Sequence, residues 1–110
     1  MYQLAAPASF EIVIKKSRFI GMLFVAGSRA EAHLLLAEQR KQHPGACHVC
    51  WALVCDGDSG LDDDGEPSGT AGRPMLEVLR GVPLLDVVAI VTRYFGGTLL
   101  GAGGLVRAYS

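Results

Sequence analysis

The chain has 110 residues, enough for one domain with a single core and too few for two. Its 10 Lys and Arg residues nearly balance its 11 Asp and Glu residues, and the net charge of -1 excludes a global attraction to nucleic acid or to an anionic membrane. Since no apolar run approaches the ~18 residues that a membrane span requires, the sequence predicts a soluble, cytoplasmic protein without a membrane partner.

The beginning of the chain predicts a hairpin and a helix. Apolar residues alternate with their neighbours over residues 10 to 14, and residues 18 to 26 form a second apolar run, which indicates two paired strands. Ser28 and Glu31 have the spacing of a capping box, and apolar residues follow at helical intervals. A helix is therefore expected to begin at Ser28 and to end before Pro44.

The remaining elements are two strands and two helices. Residues 47 to 55, CHVCWALVC, predict a third strand that leads into an acidic loop. A short helix is expected around Pro74, because the first helical turn tolerates proline, and its apolar stripe ends at Gly81. Residues 87 to 91 are apolar throughout, which predicts a central strand covered on both faces. The glycine-rich stretch that follows turns helical from Gly101.

This order of elements predicts the fold class. The succession β-β-α-β-α-β-α favours an α+β fold of the two-layer α/β sandwich type. The final helix extends for only about two turns before the chain ends. We therefore expect residues 1 to 110 to be one domain, cut short before the end of its last helix.

Acidic residues are concentrated in one stretch. Residues 56 to 66 contain no Lys or Arg and hold six of the eleven acids, namely Asp56, Asp58, Asp62, Asp63, Asp64 and Glu66. The rest of the chain therefore carries 10 basic and 5 acidic residues, a balance of +5. This surplus keeps direct RNA binding open as a function.

Cys47 and Cys50 have the Cys-x-x-Cys spacing of zinc and redox sites. Residues three apart on a strand point to opposite faces, and the sequence offers no second pair of ligands. We therefore expect both to be buried as small hydrophobic residues, reduced and free of metal. His48 lies between them on the Cys50 face. We expect it to be a hydrogen-bonded structural residue, because no nucleophile is paired with it.

The loop at residues 62 to 74, DDDGEPSGTAGRP, allows two interpretations. Clustered carboxylates suit Mg²⁺ or Ca²⁺, although the spacing does not match an EF-hand. Alternatively, the loop is architectural and faces inward, so that Asp64 and Glu66 accept backbone N–H bonds or pair with Arg93. We favour the architectural interpretation, and expect Asp58 to behave as an ordinary exposed residue.

A second glycine cluster, Gly101, Gly103 and Gly104, opens the last predicted helix, where free N–H groups can hold an anion. The cluster completes neither the dinucleotide fingerprint nor a P-loop, since no Gly-Lys-Ser/Thr is present. Close packing of the backbone at a tight turn explains these glycines about as well as anion binding does. Arg93 and Arg107 flank the cluster and could pair with the acidic loop or meet an anionic partner.

Four segments together resemble one known family. They are SRFIG at 17 to 21, CHVCWA at 47 to 52, DDGEPSGTAGRP at 63 to 74 and VTRYFGGTLLGAGGLVRAYS at 91 to 110. They are similar to the N-terminal domain of the YigZ/IMPACT family. The resemblance implies a ribosomal protein S5 domain 2-like fold, which fits the predicted sandwich. In bacterial members it also implies a smaller ferredoxin-like domain after this one.

The resemblance also implies a role. Eukaryotic relatives are implied to act in translation control, by competing for the ribosome-associated activator of a starvation-responsive kinase. The family names no catalytic residue among its signature positions. The candidate binding residues, taken from those positions, are His48, Asp63, Asp64, Glu66, Thr70, Arg93, Gly101, Gly103, Gly104 and Arg107.

Three functions follow for these residues. The first, which we favour, is a non-enzymatic binding domain linked to translation through ribosome-associated protein partners, with no catalytic residue, metal or cofactor. The second is a nucleotide- or phosphate-binding enzyme, a hydrolase or phosphoryl-transfer enzyme, with Asp64 or Glu66 as metal ligand or base. The third is an RNA-binding domain. The fold alone cannot choose among them.

Overall fold

Eight elements are present in the structure, a computed structural model that describes residues 4–81 and 85–109. In chain order they are β1 (Ala8–Ile14), β2 (Ser17–Val25), α1 (Arg29–Gln42), β3 (His48–Cys55), β4 (Asp58–Asp62), α2 (Gly72–Arg80), β5 (Val87–Tyr94) and α3 (Gly101–Tyr109). The strands form one antiparallel sheet in the order β1-β2-β5-β3-β4. The predicted α+β class is confirmed.

β5 is the middle strand, and its side chains enter two separate clusters. Val87 and Val91 pack with α2 and α3 on one face of the sheet. Val88 and Ile90 pack with α1 on the other face. All four are buried, which confirms the prediction of a central strand covered on both faces. The sheet with α2 and α3 forms the two predicted layers, and α1 adds a layer on the opposite face.

The predicted hairpin at the beginning of the chain consists of β1 and β2. Its turn contains only Lys15 and Lys16, whose φ angles of 49° and 70° lie in the left-handed region, as a type I′ turn requires. The ring of Phe10 covers Gly21, and a Cβ at Gly21 would come within 2.1 Å of that ring. A larger residue at this position would have to displace the ring. β1 is an edge strand and is exposed along most of its length.

The sequence did not predict β4. Its segment, DSGLD, has a single large apolar residue and no alternation, so it carries no strand signal of its own. Pairing with β3 makes it a strand. The Asp56-Gly57 dipeptide, with Gly57 at a φ of 71°, connects the two strands. An Asp-Gly pair after an apolar run is the signal that could have revealed this hairpin. The predicted acidic loop is therefore shorter, and covers residues 63 to 71.

The helices begin close to where the sequence predicts them. Ser28 caps α1, because its Oγ accepts the backbone N–H of Glu31 at 3.2 Å. The Glu31 carboxylate accepts the N–H of Gly27 at 2.8 Å, one residue before the usual partner in a capping box. α2 carries Pro74 in its first turn and is followed by Gly81. Within residues 4–81 and 85–109, no helix is long and apolar enough to cross a membrane.

One end of the sheet collects the segments that form the candidate site. β2 and β3 begin there and β5 ends there, because Arg93 pairs with both Phe19 and His48. The C-terminus of α1 reaches the same end, where His43 Nδ1 lies 2.7 Å from the hydroxyl oxygen of Tyr94. We call this end of the sheet the His48 end.

Candidate binding site

Glu66 is a buried carboxylate in contact with side chains from three other elements. Nη1 of Arg93, near the end of β5, lies 2.8 Å from each carboxylate oxygen. Tyr109 of α3 donates its hydroxyl to Oε2 at 2.6 Å, and Nε2 of His48 lies 3.2 Å from Oε1. Glu66 is only 7% exposed, so its charge requires these partners. The predicted pairing of Glu66 with Arg93 is confirmed.

The guanidinium of Arg93 is enclosed by polar and aromatic groups. Its Nη2 donates to Ser17 Oγ at 3.3 Å. The rings of Phe19 and Phe95 have their centroids 5.4 and 5.6 Å from its Cζ, contacts that suit a planar guanidinium better than an ammonium. Among the described residues, none accepts a hydrogen bond from its buried Nε. Arg93 is therefore a fixed cation of the core, with both Nη atoms committed to Glu66 and Ser17.

His48 connects Glu66 to the backbone of the acidic loop. Its Nδ1 lies 2.8 Å from the carbonyl oxygen of Asp64, which accepts a hydrogen bond when Nδ1 is protonated. Gly65, at a φ of 85°, packs against the ring, and a Cβ at that position would lie 3.4 Å from Nδ1. The prediction of a hydrogen-bonded histidine is confirmed. Its side chain is 24% exposed and lines the pocket described below.

Asp63 caps α2 from the preceding loop. Its Oδ1 accepts the N–H groups of Ala71 at 3.2 Å and Gly72 at 2.8 Å, and its Oδ2 accepts that of Gly69 at 3.0 Å. Burial acts to raise the pKa of Asp63, but the three N–H groups outweigh it and the pKa is lowered. Asp63 therefore supplies the side-chain cap that Ala71, at the N-cap position itself, does not provide.

Asp64 and Thr70 also face the protein. Oδ2 of Asp64 accepts the N–H of Val49 at 2.7 Å, which confirms the predicted backbone bond. Its Oδ1 lies 3.7 Å from Arg40 at the surface. Thr70 is buried and donates its hydroxyl to the carbonyl oxygen of Pro67. The architectural interpretation of this loop is supported at Asp63, Asp64, Glu66 and Thr70.

Tyr109 completes the buried group from the last described turn of α3. Its ring meets Phe19 edge to face, with centroids 5.3 Å apart. Burial raises the pKa of Tyr109, so its hydroxyl remains protonated and donates to Glu66. Cys50 Sγ lies 3.6 Å from the Tyr109 hydroxyl oxygen and 3.1 Å from the carbonyl oxygen of Asp63. Burial likewise raises the pKa of Cys50, to about 12, and keeps it a thiol.

A pocket of about 510 Å³ opens beside this group. Its charged and polar lining comes from Glu66, Arg93 and His48. The rest of the lining is predominantly apolar or backbone, and consists of Cys47, Gly65, Pro67, Phe95, Leu99, Leu100, Gly101, Ala102 and Leu105. Within the described ranges, no group of three or more His, Cys, Asp or Glu side chains is arranged to hold a metal ion.

The pocket unites four of the ten candidate binding residues, His48, Glu66, Arg93 and Gly101. The other six lie outside its lining and are Asp63, Asp64, Thr70, Gly103, Gly104 and Arg107. Gly104 is packed against Leu100, where a Cβ would come within 3.1 Å of the leucine Cβ. Close packing therefore accounts for Gly104, and the expected anion cradle is reduced to Gly101 at the pocket edge.

Sequence reasoning missed most of the apolar lining. Leu99 and Leu100 stand between glycines, and this unexplained apolar pair is the signal that could have found them.

The expectation that Cys47 is buried is wrong, because Cys47 precedes the first residue of β3 and is exposed at the pocket. Cys50, by contrast, is buried as predicted. Cys55, whose burial was not predicted, is also buried.

Comparison with known proteins identifies the family. A model of the Impact N-terminal domain matches residues 15–110. The IMPACT family member YvyE of Bacillus subtilis is 54% identical over 102 residues, covering 90% of this chain and 47% of the relative. The IMPACT family member YigZ of Escherichia coli is 47% identical over 110 residues, covering 96% of this chain and 54% of the relative. The chain thus spans about half the length of the curated relatives it matches.

Two solved structures share the fold of this chain. The crystal structure of a protein described as hypothetical has a TM-score of 0.95 at 46% identity, over 97% of this chain and 54% of that one. The two-domain translational regulator Yih1 has a TM-score of 0.57 at 23% identity, over 99% of this chain and 47% of that one, and this likeness shows the fold alone. Since the domain model and close relatives both match nearly the whole chain, the chain belongs to the IMPACT family.

Proposed function

We propose that this is a non-enzymatic binding domain that acts in the cytoplasm in the regulation of translation, through a ribosome-associated protein bound at the pocket. One observation carries the proposal. The polar side chains at the pocket are committed to one another, since Glu66 is shared by Arg93, His48 and Tyr109. A carboxylate held in this way fixes the shape of a surface and is not available as a base or a metal ligand.

The link to translation comes from the family and is an analogy. Yih1, which shares the fold, is described as a translational regulator. The IMPACT relatives are about twice the length of this chain, so the domain is expected to act within a longer protein. A ribosome-associated protein partner fits both a regulatory role and an apolar pocket.

The geometry does not favour the enzyme alternative. Phosphoryl transfer needs cations that face the substrate. Both Nη atoms of Arg93 are engaged with Glu66 and Ser17, and Arg107 lies outside the pocket lining. Gly101 is the one member of the proposed glycine cradle at the pocket. A binding role accounts for the arrangement with fewer assumptions.

The first prediction tests this function by co-sedimentation of the intact protein with ribosomes, followed by identification of associated proteins. Leu99 is 81% exposed at the pocket, and we expect Leu99→Asp to reduce recovery at least ~10-fold, because it places a charge where an apolar contact forms. Leu34 on α1 is 74% exposed and lies outside the pocket lining, so Leu34→Asp is the matched control. Equal recovery for wild type and both variants would contradict the proposal.

A further inference from the structure

The rim of the pocket exposes large apolar side chains. Phe95 is 47% exposed and Leu99 is 81% exposed, and both line the same cavity as the buried Leu105. Exposed apolar residues around a concavity are typical of sites that take an apolar group from a partner. Apart from Phe95, the apolar lining is aliphatic, which suits a protein side chain better than a nucleotide base. The polar groups able to read a base edge are already hydrogen bonded.

The β1–β2 turn beside this rim has an unusual composition. A two-residue type I′ turn places both central residues at positive φ, where Asn-Gly or Asp-Gly is preferred. Here the two positions are Lys15 and Lys16, at 49° and 70°. Residues with a Cβ are strained in this region, and such strain concentrates at functional positions. Asn-Gly would make this turn more stable, so the stability of the fold does not explain the two lysines.

The lysine turn contacts Gly96, which follows Phe95 of the pocket lining. A Cβ at Gly96 would lie 2.2 Å from the carbonyl carbon of Lys16, so the turn sits on the residue that follows Phe95. Ser17 Oγ accepts the N–H of Gly96 at 3.2 Å, which joins the start of β2 to the same segment. The turn and the apolar rim are therefore neighbouring parts of one surface at the His48 end.

Among the described residues, neither Lys15 nor Lys16 forms an ion pair, and the exposed carboxylates of Glu11 and Asp64 are paired with Arg18 and Arg40. Asp56 and Asp58 lie at the opposite end of the sheet, since Asp58 pairs with Cys55 at the end of β3. The carboxylates of Asp63 and Glu66 are turned inward by their hydrogen bonds. The exposed charge beside the pocket is thus positive, although the chain as a whole carries -1.

From these contacts we propose a partner chemistry that rests on the proposed function. The pocket takes a bulky apolar side chain of a protein partner, and Lys15 and Lys16 bind acidic residues that flank it in the partner's sequence. The apolar rim supplies the desolvated centre of the interface, and the lysine turn fixes the position of the bound segment and attracts it electrostatically.

Binding of defined peptides to the intact protein tests this proposal. The probe is a short peptide with a central Phe flanked by Glu on both sides, and its counterparts carry Ala at the centre or Lys in the flanks. We expect the Glu-flanked Phe peptide to bind at least ~10-fold more tightly than either counterpart, with affinity falling as salt rises. Equal affinity for the three peptides, or no detectable binding of any, would overturn it. Preferential binding of an oligouridylate would overturn it too, and would favour RNA.

A variant separates the role of the lysines from that of the fold. Lys15→Asn/Lys16→Gly installs the preferred turn sequence, so its melting temperature should rise while affinity for the Glu-flanked peptide falls at least ~5-fold. Arg29→Gln/Arg80→Gln removes the same charge at the opposite end of the sheet, where both arginines contact β4, and should bind like wild type. Unchanged affinity in the lysine variant contradicts the inference, while ribosome co-sedimentation reports on the proposed function separately.

Discussion

Glu66 is a single side chain on which several distant segments depend. It joins the acidic loop to β3, β5 and α3 through His48, Arg93 and Tyr109. Its partner Arg93 is 4% exposed, so the two charges have little access to water. The net contribution of such a pair relative to an apolar core is small, but loss of one member leaves the other buried and unpaired.

The next prediction concerns this pair. We expect Glu66→Ala to lower the free energy of unfolding by about 3–5 kcal/mol, because it leaves the buried Arg93 guanidinium without its carboxylate partner. Asp58→Ala removes a carboxylate whose partner, Arg29, is at the surface, and should leave the stability close to that of wild type. Denaturant melts of the two variants compare them directly. Similar losses in both would show that Glu66 is not the structural centre described above.

α2 illustrates how an element depends on a residue outside it. The helix has an apolar stripe and tolerates Pro74 in its first turn, but its N-cap residue, Ala71, has no side-chain acceptor. Asp63 bonds the N–H groups of Ala71, Gly72 and Gly69 instead. The negative charge also lies at the positive end of the helix dipole. The spacing of eight residues between Asp63 and Ala71 is longer than a capping box, which is why the sequence pattern did not assign this role.

The pH dependence of stability tests the Asp63 cap. We expect Asp63→Ala to cost about 1–2 kcal/mol at neutral pH, as loss of a helix cap does. Because the folded-state pKa of Asp63 is lowered, its contribution is complete above the ordinary carboxyl pKa of about 3.9 and declines as the pH falls through the folded-state value. The difference in free energy of unfolding between wild type and variant should therefore become smaller below about pH 4. Melts at neutral and acidic pH measure it, and a constant difference would argue against a charged cap.

The sequence predicts a helix or strand when its signal lies within a few neighbouring residues. Alternation at residues 10 to 14, the capping box at Ser28 and the apolar run at 87 to 91 each lie within a few residues, and each corresponds to an observed element. β4 has no such signal, since its strand state comes from pairing with β3. The Glu66–Arg93 pair was predictable from charge, but the pocket was not, because Leu99 and His48 meet only after the sheet has formed.

At the scale of the whole molecule, one sheet separates two hydrophobic clusters. Cys50 belongs to the cluster under α2 and α3, and Cys55 belongs to the cluster under α1. Both are on β3, so that strand links the two halves of the core. A domain of this size is expected to unfold as one cooperative unit, with both faces losing their packing together.

The cysteines give a direct measure of this cooperativity. Burial raises the pKa of Cys50 to about 12 and also raises that of Cys55, so both should resist thiol reagents in the folded protein, while the exposed Cys47 reacts at once. Along a denaturant series, we expect Cys50 and Cys55 to become reactive with the same midpoint. Mass spectrometry of each labelled peptide resolves them. Two separate midpoints would mean that the faces of the sheet unfold independently.

The contacts of Glu66 with Arg93, His48 and Tyr109 determine when the site can form during synthesis of the chain. Ser17 is synthesised before Arg93 and Tyr109, which complete the polar group around Glu66. Until α3 has left the exit tunnel, the Glu66 carboxylate lacks the tyrosine hydroxyl that it accepts in the folded protein. We therefore expect the surface proposed for a partner to be complete only after nearly all of this domain has been translated, so that an incomplete nascent chain binds that partner weakly.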